Sequence, residues 1–174
     1  MGKSMIINIG EQHFDRLREE NRFYIDKTNF IKEWWEGGSA VTLITRPRRF
    51  GKTLNMSMME CFFSNQYAGR GDLFEGLAIW EDRDSDGNYQ YRQLQGTYPV
   101  IFLSFAGVKA VNVNDMKAAV KIVIANEYGK YRDIMKSDYF DENERESFAA
   151  VNEKMDDVKA QTAINTLCIF LEKQ

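Results

Sequence analysis

Apolar residues recur at helical spacing over much of the chain. The longest pattern starts at Asn114 and runs toward Met135, with one side formed by Met116, Ala119, Val120, Val123, Ile124, Tyr128 and Tyr131. A period near 3.6 residues marks one face of an α-helix, so we predict a long helix there. The same reasoning predicts helices over 12–20, 27–36, 54–63, 142–155 and 158–172. The second of these has Asp26 or Thr28 as its cap and Gly37-Gly38 as its stop.

Shorter apolar runs have the composition of β-strands. Residues 40–44 form a partly β-branched run suited to a buried parallel strand, and residues 100–105, after Pro99, form the longest such run. Residues 77–80 and 89–94 flank turn-forming residues and predict a hairpin. These runs, set among many helices, predict an α/β protein that is rich in helix.

The run 40–44 leads into Gly51-Lys52-Thr53, and an apolar helix follows. In a nucleotide-binding loop of the pattern Gly, four residues, Gly-Lys-Ser/Thr, the backbone amides wrap the phosphates, the Lys reaches the outer phosphates and the hydroxyl binds Mg²⁺. The helix N-terminus adds its dipole and its free N–H groups. Arg46 stands where the first Gly of that pattern belongs, and a left-handed backbone there would cost about 1–2 kcal/mol.

A plain basic turn is the competing interpretation of this loop. In that case Arg46, Arg48, Arg49 and Lys52 would be solvated charges at the surface. So many cations close together are costly unless an anion is present, and Pro47 stiffens the entry by fixing its φ. The composition of the loop therefore favours a phosphate ligand.

The chain resembles the bacterial AAA-ATPase-like proteins, whose N-terminal P-loop domain is commonly followed by a nuclease-like domain of the PD-(D/E)xK type. The resemblance covers nearly the whole chain and rests on residues 23–28 (FYIDKT), 45–53 (TRPRRFGKT), 62–63 (FF) and 96–104 (GTYPVIFLS). In that family RPRRFGKT is the usual form of the loop, which implies that Arg46 is a family trait. The resemblance implies a P-loop NTPase-like three-layer fold, with residues 1–174 as the N-terminal part of the ATPase domain.

The motif and the resemblance together predict ATP and Mg²⁺ as ligands. Lys52 is expected to contact the β- and γ-phosphates and Thr53 the Mg²⁺, while an arginine adds a charge-assisted contact to phosphate or to a partner. The predicted nucleotide-binding residues are Arg48, Arg49, Phe50, Gly51, Lys52, Thr53 and Leu54. On resemblance alone, residues 23–28 are expected to pass near the adenine.

ATP hydrolysis also needs an acidic residue at the end of a second core strand. Residues 122–127 and 167–172 both end an apolar run with an acid, but their helical period continues through the run. Residues 77–80, followed by Glu81 and Asp82, form only a short run. The catalytic residues are therefore unassigned, and whether the chain is an enzyme is left open.

The missing acid predicts that the acidic strand lies beyond Gln174 and that the chain is the N-terminal piece of a longer protein. The sheet would then be incomplete, with few of its core strands present. Exposed strand edges invite pairing, so we expect self-association through them or a rearrangement.

Composition places the chain among ordinary globular proteins, with 44% hydrophobic and 28% charged residues. The net charge of −3 gives no reason to expect a nucleic-acid-binding surface overall. No apolar run approaches the ~20 residues of a membrane span, and the N-terminus lacks the apolar core of a signal peptide, so the predicted location is the cytoplasm. Cys61 and Cys168 lie in apolar segments and are expected to be buried thiols.

An acidic segment imitates the first half of a calcium loop. Asp82, Asp84, Asp86 and Gly87 match positions one, three, five and six, but Gln93 replaces the glutamate of position twelve. We therefore predict the acidic tip of a hairpin, and no calcium site.

Two other functional classes are compatible with the sequence. The chain could be a non-catalytic module that senses nucleotide or binds a protein through the helices after Asn114. Alternatively, the arginines of the loop could bind the phosphate backbone of a nucleic acid, whereas any cutting of nucleic acid would belong to the full-length protein. Salt dependence separates these classes, because several contacts to DNA phosphates make affinity fall steeply with salt.

Overall fold

The computed structural model describes residues 10–45, 47 and 49–173. The chain divides into two compact units, residues 1–100 and residues 101–174. In the described ranges the α-helices are α1 (Phe14–Glu19), α2 (Asn29–Gly37), α3 (Lys52–Phe63), α4 (Ala78–Glu81), α5 (Val113–Lys130), α6 (Glu142–Ala149) and α7 (Asp157–Glu172). Short 3₁₀ turns cover Asn65–Tyr67, Gly71–Phe74, Arg92–Leu94 and Arg132–Lys136.

The predicted α/β class is wrong. Outside the two isolated bridges, Ser64 with Tyr98 and Arg83 with Tyr89, the described residues contain no β-strand and no sheet, so they do not form a three-layer P-loop fold. A strand exists only when a second backbone pairs with its N–H and C=O groups. The run 40–44 has no such neighbour among these residues, and Val41 and Leu43 are 86% and 83% exposed.

The other predicted strands are also wrong. Residues 77–80 mostly belong to α4, residues 92–94 form a 3₁₀ turn, and residues 100–105 form no strand. The turn of the predicted hairpin is present, because the N–H of Asp84 donates to the carbonyl of Asn88 at 3.0 Å. The expectation of self-association through sheet edges loses its basis within the described chain.

The helical predictions are confirmed, except that α6 ends at Ala149 and residues 150–155 of the predicted helix 142–155 are not helical. The chain leaves α1 through Asn21 at a φ of 49°. Thr28 is the N-cap of α2, and Gly38 ends that helix in the left-handed conformation at a φ of 57°. The long helix α5 ends at Lys130, earlier than its apolar pattern predicts, and the chain continues as a 3₁₀ turn.

The core of the first unit combines aromatic and aliphatic side chains from α1 to α4 and from the segments between and after these helices. Phe74 stacks on Phe14 at a ring-centroid distance of 5.1 Å and meets Phe62 edge-on at 5.0 Å. Burying each such ring contributes about 1.5–3 kcal/mol. The full buried set is Phe14, Ile31, Met58, Cys61, Phe62, Phe63, Leu73, Phe74, Leu77, Ile79 and Tyr91.

Backbone hydrogen bonds fix the C-terminal end of α3 within this unit. The N–H of Gly96 donates to the carbonyl of Phe62 at 2.8 Å, and the N–H of Tyr98 donates to that of Phe63 at 2.9 Å. These carbonyls have no partner inside the helix, so residues 96–98 satisfy them. The helix is therefore held at its far end, opposite the loop that precedes Lys52.

The second unit packs α5, α6 and α7 around its own core. Tyr128 of α5 lies against Phe148 of α6 at a centroid distance of 4.8 Å, and its hydroxyl donates to the carbonyl of Ala163 in α7 at 2.6 Å. Burial raises the pKa of Tyr128 to about 12, so the hydroxyl remains a donor at neutral pH. Leu167 and Phe170 complete this core from α7.

The two cysteines differ in exposure. Cys61 is fully buried in the first unit, as predicted, but Cys168 is exposed on α7, so that prediction is wrong. The buried face of α7 passes through Ala163, Leu167 and Phe170 and leaves Cys168 outside. Among the described helices, none has both the length and the apolar character that crossing a membrane requires.

Candidate phosphate-binding site

Gly51 forms the junction between the basic loop and α3. It is the N-cap of the helix and has a φ of 72°, a left-handed conformation that glycine adopts without steric cost. Its carbonyl accepts the first hydrogen bond of the helix, from the N–H of Asn55 at 2.9 Å. Gly51 has no side chain to cap α3, and the first N–H groups of a helix have no intrahelical partner. The N-terminus of α3 therefore presents backbone donors beside the loop.

Lys52 is the first residue of α3, and its side chain folds back over the loop. Its Nζ donates to the carbonyl oxygen of Pro47 at 2.9 Å. Arg49 has a φ of 68°, a left-handed conformation that costs a residue other than glycine about 1–2 kcal/mol. Arg46 and Arg48 lie outside the described residues.

The remaining predicted site residues begin α3 or precede it. The side chain of Phe50 is 58% exposed. Thr53 is exposed in the first helical turn. Leu54 instead turns inward and packs against the core of the first unit. The side chain of Leu54 thus anchors the helix start, while that of Thr53 is accessible to a ligand.

Lys27 approaches the same place from the segment before α2. A β-carbon built on Gly51 would lie 4.0 Å from the Nζ of Lys27. Sequence reasoning connected residues 23–28 with the adenine and gave Lys27 no role of its own. The sequence does single out this segment, because Lys27 lies within residues 23–28, on which the family resemblance rests.

Hydrogen bonds on both sides of Lys27 hold its backbone in place. The Asp26 carboxylate accepts bonds from the N–H of Thr28 at 2.8 Å, from the Thr28 hydroxyl at 2.7 Å and from the N–H of Ala78 at 2.7 Å. The Thr28 hydroxyl, fully buried, accepts in turn from the N–H of Ile79 at 3.1 Å. Asp26 and Thr28 thereby cap α4 jointly.

The charge state of Asp26 follows from these bonds. Desolvation by burial raises its pKa, but the hydrogen bonds from the Thr28 and Ala78 N–H groups and from the Thr28 hydroxyl outweigh it and lower the pKa below the usual value. Asp26 is therefore ionised at neutral pH.

Tyr24 joins the same segment to α3. Its hydroxyl lies 3.2 Å from the Sδ of Met58 and accepts a bond from the N–H of Lys27 at 3.3 Å. Its neighbours Phe23 and Ile25 are 47% and 65% exposed. Alternate side chains of this segment thus face the core and the surface.

The acidic residues considered for hydrolysis lie in or beside helices. Glu127 belongs to α5 and is 3% exposed, and its carboxylate accepts from the N–H of Phe102 at 2.9 Å and from Lys130 Nζ at 2.8 Å. Glu172 is the last residue of α7, and Glu81 is the last residue of α4. The helical interpretation of residues 122–127 and 167–172 is confirmed.

The calcium-like segment is a self-contained turn. The carboxylate of Asp84 accepts bonds from the N–H groups of Asn88 and Asp86, each at 2.9 Å. The bond from Asn88 is the main reason that the pKa of Asp84 lies below its usual value. Over the described residues, no group of three or more His, Cys, Asp or Glu side chains is arranged to hold a metal ion.

Comparison with known proteins identifies the family of the chain. A family model described as "Predicted AAA-ATPase" matches residues 8–168. A protein of Azotobacter chroococcum mcd 1, named "Uncharacterized protein in vnfD 5'region", is 31% identical over 113 residues, which are 64% of this chain and 19% of that protein. The match thus spans about a fifth of the relative's length. No solved structure matches the chain.

Proposed function

The chain belongs to the predicted AAA-ATPase family, and from that premise we propose that it binds ATP with Mg²⁺ at the N-terminus of α3. The observation that supports this most is the placement of Gly51-Lys52-Thr53. The glycine is left-handed at the helix start, the lysine side chain lies over the loop and the threonine is accessible. Backbone donors, a positive helix end and an ammonium group are the features that a triphosphate needs.

Each residue of the loop has a role in this proposal. The ammonium of Lys52 contacts the β- and γ-phosphates, and the backbone amides from Arg49 to Leu54 donate to phosphate oxygens. Arg48 or Arg49 adds a charge-assisted hydrogen bond to phosphate. The exposed hydroxyl of Thr53 would be a ligand for Mg²⁺.

The proposed Mg²⁺ site depends on the nucleotide. Mg²⁺ is usually bound through one or two protein oxygens together with phosphate oxygens and water. A single exposed hydroxyl at Thr53 fits this arrangement, because the phosphates would supply the anionic ligands. When bound, the ion would neutralise phosphate charge. We therefore expect the protein to take up Mg²⁺ together with ATP and only weakly without it.

We confine the proposed activity to binding. Hydrolysis requires an acid that orients the attacking water, and the candidate Glu127 already accepts two hydrogen bonds within its own unit. None of the acids considered for this step is thus assigned to it.

Calorimetric titration with Mg²⁺ and ATP tests the proposal. Removing a charged donor costs about 1.5–3 kcal/mol, so Lys52→Ala should weaken ATP binding about tenfold or more. Lys32→Gln is the matched control, because it also removes one positive charge from the first unit, while its Nζ binds Asp82 at 3.0 Å. Equal affinities for the wild type and Lys52→Ala would refute the assignment of the loop.

Competition separates ATP binding from binding to nucleic acid. An excess of a single-stranded oligonucleotide should leave bound ATP in place, and the affinity for ATP should fall only moderately with salt. Displacement by the oligonucleotide together with a steep salt dependence would favour nucleic acid as the ligand. Absence of ATP binding by the wild type would favour a protein-interaction module.

A further inference from the structure

We propose that Lys27 is a second lysine of the phosphate site and contacts the phosphate chain of the nucleotide, an inference that rests on the proposed function. Its Nζ lies 4.0 Å from the position that a β-carbon of Gly51 would take. Gly51 immediately precedes Lys52 and forms the N-cap of α3. The ammonium of Lys27 therefore faces the place where the loop turns into the helix.

Electrostatics favours an anion between these groups. The N-terminus of α3 carries the positive end of the helix dipole, and Lys52 is its first residue. A further ammonium beside that end is repelled by it unless negative charge is also present. A triphosphate supplies that charge, and its oxygens can accept bonds from more than one ammonium.

The structure fixes the position of Lys27 through its neighbours. Asp26 and Thr28 bind the N–H groups of Ala78 and Ile79 at the start of α4, and the Tyr24 hydroxyl accepts the N–H of Lys27 itself. A lysine whose backbone is held on both sides loses less freedom on binding than one in an open loop. These contacts fix the backbone position from which the exposed side chain of Lys27 reaches toward Gly51.

Lys32 shows that another lysine of the same region is placed differently. It lies on α2, its Nζ binds Asp82 at 3.0 Å, and it also lies 5.7 Å from the centre of the Tyr91 ring. Two lysines five positions apart in sequence thus have different surroundings, an acid for Lys32 and the helix start for Lys27. Lys32 is accordingly the matched control for Lys27.

Titrations with ATP and with inorganic tripolyphosphate test the proposal. We expect Lys27→Gln to weaken binding of both ligands about tenfold. Lys27→Arg should keep most of the affinity, and Lys32→Gln should bind like the wild type. Tripolyphosphate has no base, so an equal loss for both ligands identifies the phosphates as the partner of Lys27. Thermal unfolding should give the same midpoint for Lys27→Gln and the wild type.

The possible failures are distinguishable. If the wild type binds ATP and Lys52→Ala weakens binding while Lys27→Gln does not, the role of Lys27 is refuted and the proposed function stands. If Lys27→Gln weakens ATP but not tripolyphosphate, Lys27 contacts the base or ribose, which also refutes this inference. If the wild type binds neither ligand, both proposals fail.

Discussion

The carboxylate of Asp26 accepts a hydrogen bond from the backbone N–H of Ala78 at 2.7 Å, across 52 positions of sequence. This bond joins the segment before α2 to the first residue of α4. The neighbouring Thr28 hydroxyl repeats the connection one residue further along, at Ile79. The stretch that carries Lys27 is therefore anchored to a distant part of the chain.

Replacing Asp26 should reduce stability in a pH-dependent manner. We expect Asp26→Asn to lower the free energy of unfolding by about 1 kcal/mol near neutral pH, because both carboxylate oxygens accept hydrogen bonds and an amide has only one acceptor oxygen. The hydrogen bonds to its carboxylate hold the pKa of Asp26 below its usual value in the folded protein. Its contribution is thus present above the unfolded pKa and is lost as the pH falls through the lower folded pKa.

Urea unfolding at a series of pH values measures this effect. The stability difference between the wild type and Asp26→Asn should be constant at neutral pH and should shrink as the pH drops below about 4. Asp86→Asn, in the exposed turn, is the control and should follow the wild type throughout. A difference that grows toward acid pH would contradict the assignment.

Gly51→Ala should impair both stability and ATP binding. A left-handed alanine costs about 1–2 kcal/mol, and the new methyl group would point toward Lys27. Gly76→Ala is the matched control, since Gly76 has a similar φ of 74° and no atom within 4 Å of the added carbon.

The two glycine variants should therefore melt alike but bind differently. We expect Gly51→Ala to weaken ATP binding about fivefold or more, which corresponds to about 1 kcal/mol, while Gly76→Ala keeps the wild-type affinity. Parallel melting and ATP titration give both quantities. Equal affinities for the two variants would place the phosphate away from Gly51.

We expect Glu127 to have a structural role. The stability of its variants should then depend on which of its hydrogen bonds they keep. Glu127→Ala leaves the N–H of Phe102 without its acceptor and should cost about 1–3 kcal/mol in unfolding free energy. Glu127→Gln keeps an acceptor oxygen and should cost less. Urea unfolding ranks the variants. A Glu127→Gln protein that is as stable as the wild type but loses a measurable ATPase activity would instead indicate a catalytic role.

The two thiols should react at very different rates in the folded protein. Cys168 is exposed on α7, whereas Cys61 is buried and desolvation by burial raises its pKa to about 12. We expect one rapid equivalent with a thiol reagent and a second only after unfolding. Cys168→Ser should remove the rapid reaction, and rapid labelling of this variant would contradict the burial of Cys61.

Helices could be predicted from the sequence because their signals are local. For α2 the cap at Thr28 and the stop at Gly38 follow from short-range backbone preferences. The strands could not be predicted, because an apolar run such as 40–44 does not reveal whether another backbone lies beside it. The apolar segment around Cys168 predicts its burial, but apolar residues occupy neighbouring positions on α7, and the structure buries Leu167 and Phe170 instead.

The proposed site is only partly accessible from the sequence, and its ligand stays a prediction. The order Gly51, Lys52, Thr53 at a helix start is a sequence pattern, and the structure places it at the N-terminus of α3. The approach of Lys27 was not predictable, because it depends on tertiary hydrogen bonds such as that from Ala78 to Asp26. The residues next to Lys27 in sequence do not reveal that Ala78, 52 positions after Asp26, lies beside this segment.

Lys52 donates a hydrogen bond to the carbonyl of Pro47. A ligand that binds this ammonium must therefore replace an existing hydrogen bond. A ligand that takes this ammonium must release a neutral carbonyl to water, and a carboxylate or phosphate oxygen is the stronger acceptor. A neutral acceptor would gain little binding free energy from replacing the carbonyl, whereas a multiply charged anion would gain more. The bond to the Pro47 carbonyl therefore favours anions over neutral molecules as partners of the Lys52 ammonium.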